Sequence, residues 1–233
     1  MPPTRLVDRI EFVLERARGR RVVHLGFVDE TRMQERVAQG SWLHAQLARV
    51  ASELVGVDLS EQGVAAAAER GYEVYCADCE DPEAIAALGL QPADVVLAGE
   101  LIEHVTSPGR LLDAVHQLVG PSGALIVTTP NAFALTNVLA GLARLELVNA
   151  DHVGWQSWRT CRTLLERHGF ETDEVLYYPF PRLEADATVP SPHRRRVQAF
   201  NAYLGAVRPL YRLRPGLADG LIVVAHPRSG TRA

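Results

Sequence analysis

The period of the apolar positions changes repeatedly along this chain. In "MPPTRLVDRIEFVLERARG" the residues Leu6, Ile10, Val13, Leu14 and Ala17 recur at helical spacing, with Gly19 as a stop. This spacing predicts a helix within residues 1–19. Short, nearly continuous apolar runs follow: "RRVVHLGF", "LVGVD", "YEVYCAD", "DVVLAG" and "GALIVTTP". Between them the helical period returns, through "SWLHAQLARVA", then "SEQGVAAAAERG" with Ser60 as cap and Gly71 as stop, then "DPEAIAALG" with Asp81 as cap and Pro82 at the first helical position. In "PGRLLDAVHQLVG" the residues Leu111, Leu112, Val115, Leu118 and Val119 share one helical face. The turn "GPSG" precedes the fifth apolar run.

Strands alternating with helices of this length predict an α/β fold, a doubly wound parallel sheet with helices on both faces. Runs such as "DVVLA" and "ALIVT" suit burial on both sides. After residue 131 the pattern loosens. "AFALTNVLAGLARLELV" and "WRTCRTLLERHG" read as helices and "ETDEVLYYPF" as a strand. "PRLEADATVPSPHRRR" is Pro-rich and reads as a mobile loop, "VQAFNAYLGAVRPLYRL" is helical, and "DGLIVVAHP" is a last strand. No repeat and no second core is visible, so residues 1–233 read as one domain, with segment 179–214 as a variable loop and helix suited to an acceptor lid. Ligands of such sheets sit at the carboxyl ends of the strands. Asp58, Asp78, Glu100 and Asn131 all fall just there.

Composition changes this picture little. Hydrophobic residues make up 47% and charged residues 22%, as in ordinary globular chains, and the net charge of −4 weighs against a nucleic-acid groove. Every basic residue is Arg, so no Lys is available as a base or Schiff-base former. The N-terminal stretch has no apolar run long enough for a signal peptide or membrane span, which gives a cytoplasmic expectation. Cys76, Cys79 and Cys161 are too few and scattered for a disulfide framework or a structural zinc site.

One stretch adds chemistry. In "GELIEHV" a helix would put Glu100, Glu103 and His104 on one face. Such a cluster can hold a metal, act as acid and base, or cap a helix, and the spacing leaves all three open.

Taken together, "LVGVDLS", "YCADCED", "DVVLAGELIEHVTSPGRLLDAVHQLVGPSGALIVTTPN" and "LLERHGFE" resemble the ordered motifs of the class I S-adenosylmethionine-dependent methyltransferases, over roughly residues 20 to 180. The resemblance implies a Rossmann-like sheet of seven strands whose last, here "GLIVVAHP", runs antiparallel. It implies a donor pocket made by His24, Gly26 and Phe27 after the first strand, Asp58 and Leu59 after the second, Asp78 and Cys79 after the third, and Gly99 at the end of the fourth. Asp58 would bind both ribose hydroxyls, a task suited to a carboxylate, and Asp78 the adenine amino group. The chain departs from the family in its first loop. Where a Gly-x-Gly-x-Gly turn is usual, "HLGFVDE" keeps Gly26 alone, so either the loop takes another path, with the "SWLH" segment, Trp42 and His44 included, helping to form the pocket, or the donor site is weakened.

Glu-x-x-Glu-His resembles the metal-binding run of the ubiquinone-biosynthesis O-methyltransferases and of the 2′-O-methyltransferases of small-RNA 3′ ends. By that resemblance Glu100, Glu103, His104 and His152 form a carboxylate–imidazole site for Mg²⁺ or Mn²⁺, with His104 or His152 as base if not a ligand. The implied function is methyl transfer from S-adenosylmethionine to an oxygen of a sugar, glycan or glycosylated natural product. The alternatives are RNA 2′-O-methylation and a donor-binding protein without catalysis.

Overall fold

A computed structural model describes residues 4–29, 32–182 and 191–228. One sheet forms the centre, built from β1 (Arg5–Leu6), β2 (Arg21–Leu25), β3 (Glu53–Asp58), β4 (Glu73–Cys76), β5 (Ala93–Gly99), β6 (Val119–Pro130), β7 (Phe170–Tyr178) and β8 (Gly220–Pro227). Their spatial order is β1-β7-β8-β6-β5-β2-β3-β4. Only β8 runs against its neighbours, antiparallel to β6 and β7. Strands β2 to β8 are the seven predicted from the apolar runs, and the last is antiparallel as expected. The eighth is new: Arg5 and Leu6 pair in parallel with Leu176 and Tyr177. Leu6 therefore belongs to a sheet edge, and the first helix is shorter than residues 1–19. It is α1 (Arg9–Ala17), opened by the Asp8 carboxylate, which accepts from the Glu11 N–H at 2.9 Å.

The continuous apolar strands bury both faces. Along β5, Val95 and Leu97 pack with Phe12, Val13 and Ala17 of α1 and with Leu47 of α3 (Leu43–Ala48). Val96 and Ala98 face the opposite layer, with Leu111, Leu112 and Val115 of α6 (Pro108–Leu118) and Cys161 and Leu165 of α8 (Trp158–Arg167). A one-residue slip of such a strand would exchange these two sets, so both helix layers fix the register. The remaining helices are α2 (Met33–Ala38), α4 (Glu61–Ala68), α5 (Pro82–Ala87), α7 (Leu135–Leu142), α9 (Ser191–Leu213) and a single 3₁₀ turn at Pro215–Leu217.

Several boundaries differ from the periodicity. Within "SWLHAQLARVA" the helix is the short α3, and a separate α2 precedes it, the two divided at Gly40, whose φ is +67°. The "GPSG" turn is absorbed into β6, where pairing with β5 jumps from Ala93↔Val119 to Val95↔Ala124. α7 stops at Leu142, before "LELV". α9 begins at Ser191, so Arg194, Arg195 and Arg196 of the expected loop are helical, while 183–190 of that loop and lid lie outside the described residues. Among the described residues no helix is long and apolar enough to cross a membrane.

The strand order reverses between β2 and β5, and their carboxyl ends carry Gly26 and Gly99–Glu100. In an open α/β sheet that crevice is where ligands bind.

Candidate active site

At the crevice Gly26 has φ +63°, a conformation costly for any residue with a Cβ, and a Cβ there would lie 2.8 Å from Leu101 Cδ1. The loop then continues with Phe27 and Val28 instead of further glycines. Phe27 turns away from the crevice and packs against Trp42 and His44, with ring centroids at 6.2 and 4.6 Å. The Trp42 indole donates to the Phe27 carbonyl at 3.1 Å. Room for these rings comes from Gly56 of β3, where a Cβ would sit 2.8 Å from both Phe27 Cδ1 and His44 Cε1. Val28 is accommodated the same way, by Gly63 of α4, whose Cβ would fall 2.3 Å from Val28 Cγ1. The small residues missing from the turn are thus found in the elements packed against it.

His24, Phe27, Trp42 and His44 are all buried, so the side chains expected to face a donor instead fill a closed aromatic packet. His24 and His44 meet through their Nδ1 atoms at 3.3 Å. Burial lowers both imidazoles, His24 well below the usual value and His44 to about 4, so both are neutral at physiological pH. His44 Nε2 is buried without a partner.

The five other residues expected at the donor pocket lie at or just after the carboxyl ends of β3, β4 and β5. The Asp58 carboxylate, at the end of β3, accepts from the Val28 N–H at 2.8 Å and the Ser60 N–H at 3.0 Å. It thereby ties the altered loop to the start of α4 and keeps a position at the crevice. Cys79 is buried beside the Gly26 backbone, Asp58 and Asp78, and burial pushes its thiol up to about 12. Asp78 is exposed and closes a turn by accepting from the Glu80 N–H at 2.8 Å. Leu59, 66% exposed, presents an apolar side chain just after β3, and Gly99 ends β5 on the other side of β2.

"GELIEHV" is not a helix. The chain bends at Glu100, whose φ is +52°, and turns at 102–104. The side chains separate accordingly. Glu100 Oε1 accepts from Tyr178 OH at 2.6 Å and Thr128 Oγ1 at 2.8 Å, and lies 3.8 Å from Arg9 Nη1. Glu103 enters the interior, where it is 1% exposed. One of its oxygens accepts from Thr129 Oγ1 at 2.9 Å and the other, Oε1, is buried without a hydrogen-bond partner among the described residues. Burial, followed by the neighbouring Glu100 charge, pushes this carboxyl up to about 8.

The Glu103 carbonyl accepts from the N–H groups of Val153 and Gly154 at 2.9 and 3.2 Å. This fastening brings His152 to His104, the rings edge-on with centroids 4.7 Å apart. Burial, then the adjacent His104, lowers the His152 imidazole, which favours the neutral form that ligates metals. Glu103, His104 and His152 each offer a ligand atom, and these atoms lie within 4.8 Å of one another. A buried carboxylate oxygen lacking a donor, beside two imidazoles, is a donor set that suits a hard or borderline divalent cation. Glu100, the fourth residue of the implied set, is outside this group.

Next to His152 opens a cleft of about 170 Å³ between β6, α7 and the 149–155 loop. Asn137, Asn149, Thr136 and Asp219 supply its polar wall, and Trp155, Leu147 and Phe180 its apolar one. The cleft was not legible in the helical and strand periods, although two of its features follow from topology. β8 is antiparallel, so its start, Asp219–Gly220, lies at the ligand edge, and β7 ends there with Tyr178. Asp219 is 1% exposed and accepts from Thr136 Oγ1 at 2.8 Å, Tyr211 OH at 3.0 Å and the Phe180 N–H at 3.0 Å. Asn131, the remaining polar residue expected at this edge, is structural: its amide donates to the Gly216 and Ala218 carbonyls at 2.9 and 2.8 Å.

A crevice at the reversal of strand order, with an acidic residue closing the adjoining strand, is the arrangement of the class I methyltransferase fold. The sequence agrees. The family described as "Methyltransferase domain" matches residues 38–175, more than half of the chain, and the chain belongs to that family. It is similar to a ubiquinone biosynthesis O-methyltransferase of Caulobacter sp. (strain K31), 32% identical over 124 residues, which cover 52% of this chain and 49% of that one. The chain thus matches about half the length of that curated relative. In fold it is similar to a SAM-dependent methyltransferase from Archaeoglobus fulgidus, with a TM-score of 0.56 and 17% identity over 93% of this chain and 90% of the other. The small RNA methyltransferase HEN1 also shares the fold, with a TM-score of 0.56 and 17% identity over 96% of this chain and 25% of that one.

Proposed function

We propose that this protein transfers a methyl group from S-adenosylmethionine to a hydroxyl oxygen of a sugar or glycosylated acceptor, assisted by a divalent cation. The observation that carries the reading is the convergence of Glu103, His104 and His152 beside a cleft with a mixed polar and aromatic wall. Asn137 and Asn149 offer donors and acceptors to hydroxyls, and the Trp155 ring offers an apolar face to a sugar. The net charge of −4 supports a small acceptor over RNA.

Asp58 would accept from the ribose hydroxyls of the donor, and Asp78, Cys79 and Leu59 would border its base. S-adenosylmethionine, when bound, supplies a methyl on a sulfonium whose leaving group is a neutral thioether. That displacement needs alignment more than acid catalysis. Glu103, His104 and His152 would hold the cation, which, when bound, lowers the pKa of a ligated hydroxyl. Were His104 or His152 not a ligand, its imidazole would be placed to accept the acceptor's proton instead. The cleft walls orient the acceptor and limit the access of water.

A second reading follows the relatives' part in ubiquinone biosynthesis, with the hydroxyl on a precursor of that quinone. The test is donor turnover against panels of free and nucleotide-linked sugars, glycosides and quinone precursors, in Mg²⁺ and in chelator. Mg²⁺-dependent turnover that Glu103→Gln lowers at least a hundredfold supports the cation reading. Full turnover in excess chelator would overturn it, and the accepted panel decides between the two acceptor readings.

A further inference from the structure

Glu100 stands between two tasks, and its surroundings choose one. Its backbone lies in the left-handed region, φ +52°, which a residue with a Cβ occupies only where its surroundings compensate. The compensation is local. The Glu100 N–H donates to the Thr128 carbonyl at 2.8 Å, extending the β5–β6 ladder by one bond. The same twist sends the side chain back over β6 and β7, where one oxygen accepts from two hydroxyls, Tyr178 at 2.6 Å and Thr128 at 2.8 Å. Arg9, the first residue of α1, completes the group. Its Nη1 lies 3.8 Å from Glu100 Oε1 and 3.4 Å from Thr128 Oγ1, and its guanidinium sits 5.7 Å from the centre of the Tyr178 ring.

We infer that Glu100 is a positioning residue, locked to Arg9, Tyr178 and Thr128, and that the cation set of this chain is the three donors Glu103, His104 and His152. The second half rests on the cation reading proposed above; the lock rests on the geometry alone. Tyr178 is 2% exposed, and among the described residues its only other acceptor is the Thr129 carbonyl at 3.4 Å. Swinging Glu100 toward a cation would leave that hydroxyl poorly satisfied inside the protein. It would also separate a guanidinium from its counter-charge. The lock fixes the start of the turn whose next residues place Leu101 against Gly26 and Glu103 in the interior. Through Arg9 it also ties α1 to the ligand edge of three strands.

Two measurements on the whole chain separate the halves. Mn²⁺ titration, followed by the electron paramagnetic resonance of free Mn²⁺, compares the wild type with E100Q and E103Q. The expectation is a loss of affinity of at least about tenfold for E103Q and of less than about threefold for E100Q. Equal losses would show Glu100 to be a ligand and overturn the three-donor set. No Mn²⁺ binding by the wild type would overturn that set together with the reading it rests on. The lock is decided separately, by thermal unfolding in chelator of R9M, E100Q and the double variant. Each single variant should lower Tm by about 2–4 °C, and the double variant by no more than the worse single one. Additive losses would overturn the lock.

Discussion

His44 is enclosed by Phe27, Trp42 and Tyr72, with ring centroids within 5.2 Å of its own, and it contacts no solvent. Its folded pKa of about 4 lies below the ordinary histidine value, so the unfolded chain takes up a proton there that the folded chain refuses. Stability from this site is complete above about pH 6.5 and is lost as pH falls toward 4, by roughly 2–3 kcal/mol. His24 is shifted in the same direction, and its loss has the same sign. Urea denaturation at pH 7.5 and pH 4.5 measures the total, and His44→Phe should flatten the difference. An unchanged slope in that variant would remove His44 as its source. Residue types at this scale were readable, but their orientation was not. The spacing of Glu100, Glu103 and His104 fits a helix face as well as it fits the turn they occupy. A positive φ at a glutamate leaves no mark in a hydrophobic pattern.

Between elements, the polar clamps matter more than propensity. Asn131 is 2% exposed and follows β6. Besides its two bonds to the Gly216 and Ala218 carbonyls, its Oδ1 accepts from the Phe133 N–H at 3.1 Å, and its backbone pairs with Gln156 in an isolated bridge. It therefore joins β6, the approach to β8 and the loop that carries His152. Asn131→Ala leaves the buried Ala218 carbonyl and the half-buried Gly216 carbonyl without their donor and should cost roughly 1–3 kcal/mol, read as a lower urea midpoint at unchanged m. A cost below about 0.5 kcal/mol would mean that the carbonyls find other donors. The sequence rule that polar residues after strands meet at one edge did locate Asn131. It could not separate a ligand contact from a clamp, because both tasks want the same amide. β1 escaped notice for a different reason: a pair of residues is too short to show a period.

For the molecule as a whole, the parallel two-sided sheet follows from the apolar runs, since their continuity demands burial on both faces and their alternation with helices demands parallel crossovers. The ligand edge follows from the parallel sheet, and with it Asp58, Asp78, Glu100 and Asn131. The cleft does not follow, because Thr136, Trp155 and Asp219 come together only when the irregular stretch after β6 folds back over the sheet. If the crevice takes the donor as proposed, titration with S-adenosylhomocysteine should show Asp58→Asn weakening binding at least about tenfold, through loss of a charge-assisted bond at a largely buried position. Asp78→Asn, at an exposed position, should weaken it by about threefold or less. Equal effects would mean that the donor lies across the edge differently.

The loop after β2 gave up glycines, and Gly56 and Gly63 opposite it make the room that Phe27 and Val28 use. Bulk has been moved across an interface, and this makes the positions dependent on one another. Gly63→Ala alone should be costly, and the same change with Val28→Ala should recover most of the loss. Among relatives, the pairs 27 with 56 and 28 with 63 are then expected to vary together, a large side chain on one side facing a small one on the other. A lineage passing between a Gly-rich turn and this one has to change both partners, so the two kinds of loop are separated by intermediates that are either hollow or overfilled.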